Sequence, residues 1–245
     1  MRKLLFISPI LLLFLFYSCH TIYIGEESQK TIKQNLQLGT VGEYKGFLLE
    51  QDYNHTAIPK YKNPIKVQIN FEYFNKASIK AFNKAKLSQT KKVRINYMDS
   101  MVNKPRYIKL EIADRVSVLN ALNAKENIAL FQFLKTNNTA DIVTSVSMAL
   151  NESDLTAIEN ADEVFLERAG KKSYALKTYI NNEEQKTVLF SHGVVFAYVS
   201  SNFCWKQNDK YQLEIIDIVE SSDKCTRSTY KSAKKAKKQI DYFKL

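Results

Sequence analysis

Between residues 65 and 73 every second side chain is apolar: Ile65, Val67, Ile69, Phe71 and Tyr73 alternate with Lys66, Gln68, Asn70 and Glu72. Successive side chains of a strand point to opposite faces, so this period demands a half-buried strand with one wet face. The pattern returns over residues 106–113, with Ile108, Leu110 and Ile112 on one face, and again through Ile142, Thr144, Val146, Met148 and Leu150. Apolar and β-branched runs predict further strands at 164–167, 173–180, 187–199 and 211–219. Helical spacing is weaker. Ile79, Phe82 and Ala85 suggest a helix over 77–87. Val118, Leu119, Leu122, Leu130, Phe131 and Leu134 form a stripe over 116–134, with a break near Asn123. Asn151 starts a short helix that turns Leu155 and Ile158 inward.

Short segments between strands favour antiparallel pairing, and the helices do not alternate regularly with the strands. The expected class is therefore α+β: an antiparallel sheet with a few helices on one face and a basic C-terminal helix. A chain of 245 residues, 45% apolar and 25% charged, with 6 glycines and 4 prolines, has the composition of an ordinary globular domain. Wholesale disorder, a collagen-like chain and a coiled-coil rod are excluded on that ground.

The first residues stand apart. Arg2 and Lys3 precede an uncharged run from Leu4 to Phe16, too short to span a bilayer and placed where a secretory leader sits. Its end, Phe16-Tyr17-Ser18-Cys19, resembles the lipobox of bacterial lipoproteins, with Phe16 and Tyr17 where that family more often carries Leu and a small residue. The resemblance covers the leader alone. It implies that residues 1–18 are a signal peptide and that Cys19 is the lipid attachment site, with residues 19–41 a lipidated tether and residues 42–245 a single α+β domain. One acyl chain gives only marginal membrane binding, at about 0.8 kcal/mol per buried CH₂, and two or three on one residue give a durable anchor. With His20 rather than Asp after the cysteine, the resemblance points to the outer membrane, facing the periplasm or the outside.

An odd cysteine in an exported chain needs an explanation. Lipidation of Cys19 supplies it and leaves Cys204 and Cys225 as a pair for a disulfide, which for a loop of this size is worth roughly 3 kcal/mol.

Signatures of chemistry are sparse. The three histidines, His20, His55 and His192, show no HExxH spacing, so no metal and no cofactor are expected. Ser191-His192-Gly193 has the look of a hydrolase fragment, but neighbours in a strand point apart, and a partly buried His192 beside Phe190, Val194 and Phe196 is the expectation. Carboxylates for a glycosidase-like pair are Glu111, Asp114, Asp141, Asp162, Glu163, Glu167, Glu214 and Asp217. Tyr44, Tyr53, Tyr61 and Tyr107 are candidate platforms for sugars.

Charge is concentrated. Removing Arg2 and Lys3 lowers the net charge from +11 to +9, and residues 224–245, with eight basic residues against Asp241, hold +7 of it. Tyr230, Ala233, Ala236, Ile240 and Phe243 recur at helical spacing, so this tail reads as a helix docked on the sheet. Its Lys231, Lys234, Lys235 and Lys238 are candidates for contact with an anionic surface. Nucleic acid is not expected as a partner, since no nucleic-acid module is present. The expected function is a non-catalytic, lipid-anchored envelope protein, a binding or assembly module for an envelope glycan, anionic lipid or another envelope protein. The alternatives are an envelope hydrolase acting on glycan or peptide, or an inhibitor or immunity-type lipoprotein.

Overall fold

The computed structural model describes residues 21–46, 51–89, 93–170, 173–226 and 228–241. The leader and Cys19 lie outside the described residues. Twelve strands form one antiparallel system: β1 (Thr21–Ile24), β2 (Glu27–Thr31), β3 (Val41–Gly46), β4 (Gln51–Ala57), β5 (Ile65–Tyr73), β6 (Arg106–Ile112), β7 (Ala140–Ala149), β8 (Glu163–Arg168), β9 (Tyr174–Ile180), β10 (Glu183–Leu189), β11 (Val194–Gln207) and β12 (Leu213–Glu220). The helices are α1 (Lys76–Gln89), α2 (Arg115–Asn123), α3 (Ile128–Thr136), α4 (Glu152–Glu159) and α5 (Ala233–Asp241). This is an α+β fold dominated by its sheet.

The strand order is β1-β2-β11-β7-β6-β5-β8-β9-β10, with β12 also on β11 and β3 on both β7 and β4. Two strands share each edge at the centre. On one edge of β11, β2 pairs with Ala197 and Tyr198, and β12 takes over from Ser201 to Gln207. On one edge of β7, β3 pairs with Ala140 to Ile142, and β6 takes over from Ser145 to Met148. The sheet thus forks, and β11 shifts register against β7 between Val199 and Ser200, beside the fork.

Both faces of the sheet are covered, not one. Ile108, Leu110, Val146 and Met148 face a large apolar layer that includes Val118 and Leu122 of α2, Leu130 and Leu134 of α3, and Ala233 and Ala236 of α5. The adjacent residues Tyr107 and Phe196 face the other way and join Phe74, Phe82 and Ala85 under α1. The rings stack at 4.8–6.4 Å, with Phe74 against Tyr107 and Phe82 against Phe196. That second aromatic layer needs α1 over it, which is why β7, with only Thr144 half-exposed, does not alternate like a one-faced strand.

The long helical stripe breaks where its sequence suggested. Asn123, the last residue of α2, donates to the Ile215 carbonyl at 2.7 Å and to the Leu119 carbonyl at 2.9 Å and accepts from the Ile215 N–H at 2.9 Å, so its side chain ties the helix end to β12. Asp114 caps α2 by accepting from the Ser117 N–H, and Asn151 caps α4 by accepting from the Asp154 N–H, both at 2.9 Å.

Two expectations are corrected. The run 187–199 is not one strand: β10 ends at Leu189, Phe190–His192 make a 3₁₀ turn, and β11 starts at Val194 beside a different neighbour. Gly193 permits the turn, because a Cβ there would lie 2.6 Å from the Ala149 carbonyl oxygen and collide with Met148. Residues 21–41 of the supposed tether are part of the fold. They supply β1 and β2, bury Ile24, Ile32, Leu36 and Leu38, and place Gln29 fully inside.

Cys204 and Cys225 form a disulfide, enclosing a loop with a sequence separation of 21. It fastens the segment after β12 to β11. Next to it, Trp205 exchanges backbone hydrogen bonds with Tyr230 at 2.8 and 3.0 Å, and its ring meets Phe131 edge-on at 5.3 Å.

Candidate functional site

The fork in the sheet opens a cleft of about 640 Å³ lined by Glu26, Glu27, Lys30, Lys109, Tyr198 and Ser200, with Glu220 to Ser222 on the far rim. No strand among the described residues pairs with Val199 or Ser200 on the edge where β2 leaves and β12 arrives. Register places the remaining parts. Tyr198 stands opposite Lys30, and Asp141 opposite Gly42, which brings Asp141 under the same region.

Its polar chemistry has two halves. In the first, Lys109 is 11% exposed and contacts Glu27 and Glu111, each at 2.6 Å. Burial pulls its pKa down, but hydrogen bonds and charge from Glu111 and Glu27 outweigh that and raise it. Gln29 completes this half: it donates to Glu27 at 3.2 Å and to Ser145 at 3.4 Å, and accepts from Ser147 at 2.7 Å. These groups are satisfied.

The second half is not. Asp141 Oδ1, the Tyr198 hydroxyl and Ser200 Oγ are buried and make no hydrogen bond of good geometry, although buried polar groups nearly always do; the Ser200 and Tyr53 hydroxyls nonetheless lie close enough to the Asp141 carboxyl to act on it. Burial raises the Asp141 pKa above the usual carboxylate range, against the opposing pull of the Ser200 and Tyr53 hydroxyls and the Lys30 ammonium. Burial and the Asp141 charge likewise push the Tyr198 phenol up. The Lys30 ammonium lies 5.7 Å from the Tyr44 ring centre and 6.0 Å from that of Tyr198, the range of a cation–π contact. Tyr53 packs on Tyr198 at 5.2 Å and donates its hydroxyl to the Asp141 carbonyl at 3.1 Å. One spot therefore holds a buried carboxyl, two hydroxyls and an ammonium beside half-exposed Tyr44.

The residues singled out in the sequence fall as follows. Of the carboxylates, Asp141 lies beneath the cleft, and Glu111 reaches its lysine. The Lys109 ammonium stands between Glu111 and Glu27, the place a sugar would have to occupy for a hydrolytic pair. The others have structural partners: Asp114 caps α2, Glu163 binds Lys66, Glu167 binds Lys177, Asp162 accepts from the Asn181 N–H, Glu214 from Asn208, and Asp217 from the Ile218 N–H. Of the tyrosines, Tyr44 borders the site and Tyr53 supports it, while Tyr61 donates to the Gly39 carbonyl and Tyr107 is core.

His192 is exposed in the 3₁₀ turn rather than buried in a strand, with Nδ1 3.7 Å from Asp154. Asp154 is already bound by Lys186 at 2.6 Å and Asn151 at 3.0 Å, and the neighbouring Ser191 is exposed. His55 is exposed in β4, and His20 lies outside the described residues. Among the described residues no cluster of three His, Cys, Asp or Glu could hold a metal ion. In the tail, Lys231 donates to the Ser221 carbonyl at 2.9 Å on the cleft rim, Lys234 and Lys235 are exposed, and the Lys238 side chain lies outside the described residues.

Lys30, Tyr198 and Ser200 were not legible as a site. The one signal in β11 is the polar run Ser200-Ser201-Asn202 inside a largely apolar strand. No helix among the described residues is long and apolar enough to cross a membrane. No family model matches the chain, and neither a curated protein nor a solved structure matches it.

Proposed function

We propose that this chain is a lipid-anchored cell-envelope protein that binds a polyhydroxylated ligand, an envelope glycan, in the cleft at the fork of the sheet, without catalysis. The anchor rests on the leader and on Cys19, the one cysteine left over once Cys204 and Cys225 are joined. A disulfide suits an oxidising compartment.

The observation that carries the binding role is the pair of buried hydroxyls of Tyr198 and Ser200, which belong to cleft-lining residues and make no hydrogen bond of good geometry. A sugar brings donor and acceptor in each hydroxyl and an apolar ring face for Tyr44, so it can pair with Tyr198 and Ser200, which line the cleft. What favours binding over hydrolysis is that Glu27, on the cleft wall, is tied up with Lys109 at 2.6 Å and with Gln29 at 3.2 Å.

The test is binding of purified protein to a panel of peptidoglycan and lipopolysaccharide-derived saccharides. The expected result is a retained glycan whose affinity drops about tenfold in Ser200→Ala and in Tyr198→Phe, the scale of roughly 1.4 kcal/mol for one lost hydrogen bond. Absence of any retained saccharide at low salt would defeat the binding role. An unmodified Cys19 in the mass of the mature protein would defeat the anchor.

A further inference from the structure

The C-terminal tail is not the strongest cationic surface beside the N-terminus. Residues 76–94 carry seven basic residues and no acidic one: Lys76, Lys80, Lys84, Lys86, Lys91, Lys92 and Arg94. Most of them belong to α1, which has a sharp division of faces. Ser78, Ala81, Phe82 and Ala85 are buried against the sheet, whereas Lys80, Lys84 and Leu87 are exposed at spacings of four and three, one row on the outer face. Leu87 is 82% exposed, an unpartnered apolar side chain at the end of a lysine row. At the helix start Lys76 pairs with Asp99 at 2.9 Å, and Lys86 folds back over the Phe82 ring at 5.8 Å.

The position of this row matters more than its charge. Ile22 and Ile24 of β1 share one apolar cluster with Ile79, Phe82 and Ala85 of α1, so the first described strand is packed against this helix. Cys19 is two residues before Thr21, and two residues span at most about 7 Å. Acyl chains on Cys19 would therefore enter the bilayer next to α1. The lysines of α5 lie over the opposite apolar layer.

We propose that the outer face of α1 docks on the anionic lipid headgroups of the membrane that holds the N-terminus, with Lys80 and Lys84 on the headgroups and Leu87 at their boundary with the acyl chains. The proposal rests on the anchored reading of Cys19. The chemistry is that of an interfacial helix, in which clustered cations and a few apolar side chains act together at a negatively charged surface. It fixes which way the protein stands: α1 toward the lipid, and α5 away from it.

Protein purified from membranes would be reconstituted into vesicles of phosphatidylcholine with or without phosphatidylglycerol, and its lysines labelled with acetic anhydride. Lys80 and Lys84 should react several-fold more slowly on the phosphatidylglycerol vesicles, the protection should vanish at high salt, and exposed Lys125 and Lys210 should keep one rate throughout. Equal labelling of Lys80 and Lys84 on both vesicles, or protection falling on Lys234 and Lys235 instead, would overturn the proposal. The mass of the same protein reports acylation separately. If Cys19 carries no lipid the anchored reading fails, and labelling of the protein mixed with preformed vesicles still decides whether α1 docks.

Discussion

At the residue scale, two side-chain environments make opposed demands. Asp141 keeps its proton to higher pH in the folded chain than in the unfolded one, because burial disfavours its charge. Its contribution to stability is therefore fully present below the ordinary carboxylate range and is lost as pH rises through its raised value. Asp141→Asn removes the buried charge without changing the shape. Urea unfolding should show it matching the parent in acid and gaining stability over the parent, on the order of 1 kcal/mol, as pH rises through the raised Asp141 value. A variant less stable at neutral pH would show instead that the Lys30 ammonium needs the carboxylate. Gly193 poses the contrary demand, for absence of a side chain. Gly193→Ala pushes a Cβ into the Ala149 carbonyl and Met148 and should cost about 1–3 kcal/mol, whereas exposed His192→Ala should change stability by less than about 0.5 kcal/mol. Denaturant unfolding of both variants separates a glycine needed for strand approach from a serine–histidine–glycine motif kept for chemistry.

At the element scale, junctions between helices and strands are held by asparagines. Asn127 sits in the turn between α2 and α3, where it accepts from the Lys60 N–H at 2.8 Å and donates to the carbonyls of Lys60 at 3.0 Å and Ala121 at 2.8 Å. Asn127→Ala leaves three backbone groups without that partner and should cost about 1–3 kcal/mol, read as a lower urea midpoint with the slope unchanged. Such junctions mark the limit of what sequence discloses. β5 and β6 were legible because part of each strand buries one face and wets the other, which writes a period of two into the chain. β7 was placed by its apolar positions, but its second face, with Ser145, Ser147 and Ala149 buried, carries no such period. The boundary between β10 and β11 was missed because Phe190 is buried on both readings and only the close approach at Gly193 distinguishes them. Asp141 and Tyr44 could be picked as chemical types, yet nothing local says that Lys30 meets Tyr198. That pairing is set by strand order between segments 168 residues apart, and strand order is a property of the assembled sheet.

At the scale of the whole molecule, the segment before β3 decides whether anchor and fold are separable. A spacer would leave the body free to swing, and its residues would tolerate any polar substitution. Residues 21–41 instead bury Ile24, Ile32, Leu36 and Leu38 at 2% exposure or less, and Ile32 donates its N–H to the Phe196 carbonyl at 3.1 Å. Burying one such side chain is worth about 1.5–3 kcal/mol, so four approach the net stability of about 5–15 kcal/mol typical of a domain. Ile32→Ala should therefore cost about 2–5 kcal/mol. Deletion of residues 20–33 should abolish the cooperative unfolding transition, because it also removes the strand that pairs with β11 and carries Lys30 into the cleft. A deletion variant that melted like the parent would mean that β1 and β2 add no stability, and the anchor would then be joined to the body by a loose leash. With the strands integral, the lysine row of α1 and the cleft belong to one body, and a lipid on Cys19 would be attached two residues from it. The proposed anchor would then be coupled to the proposed binding cleft through β2, which ends one residue after Lys30.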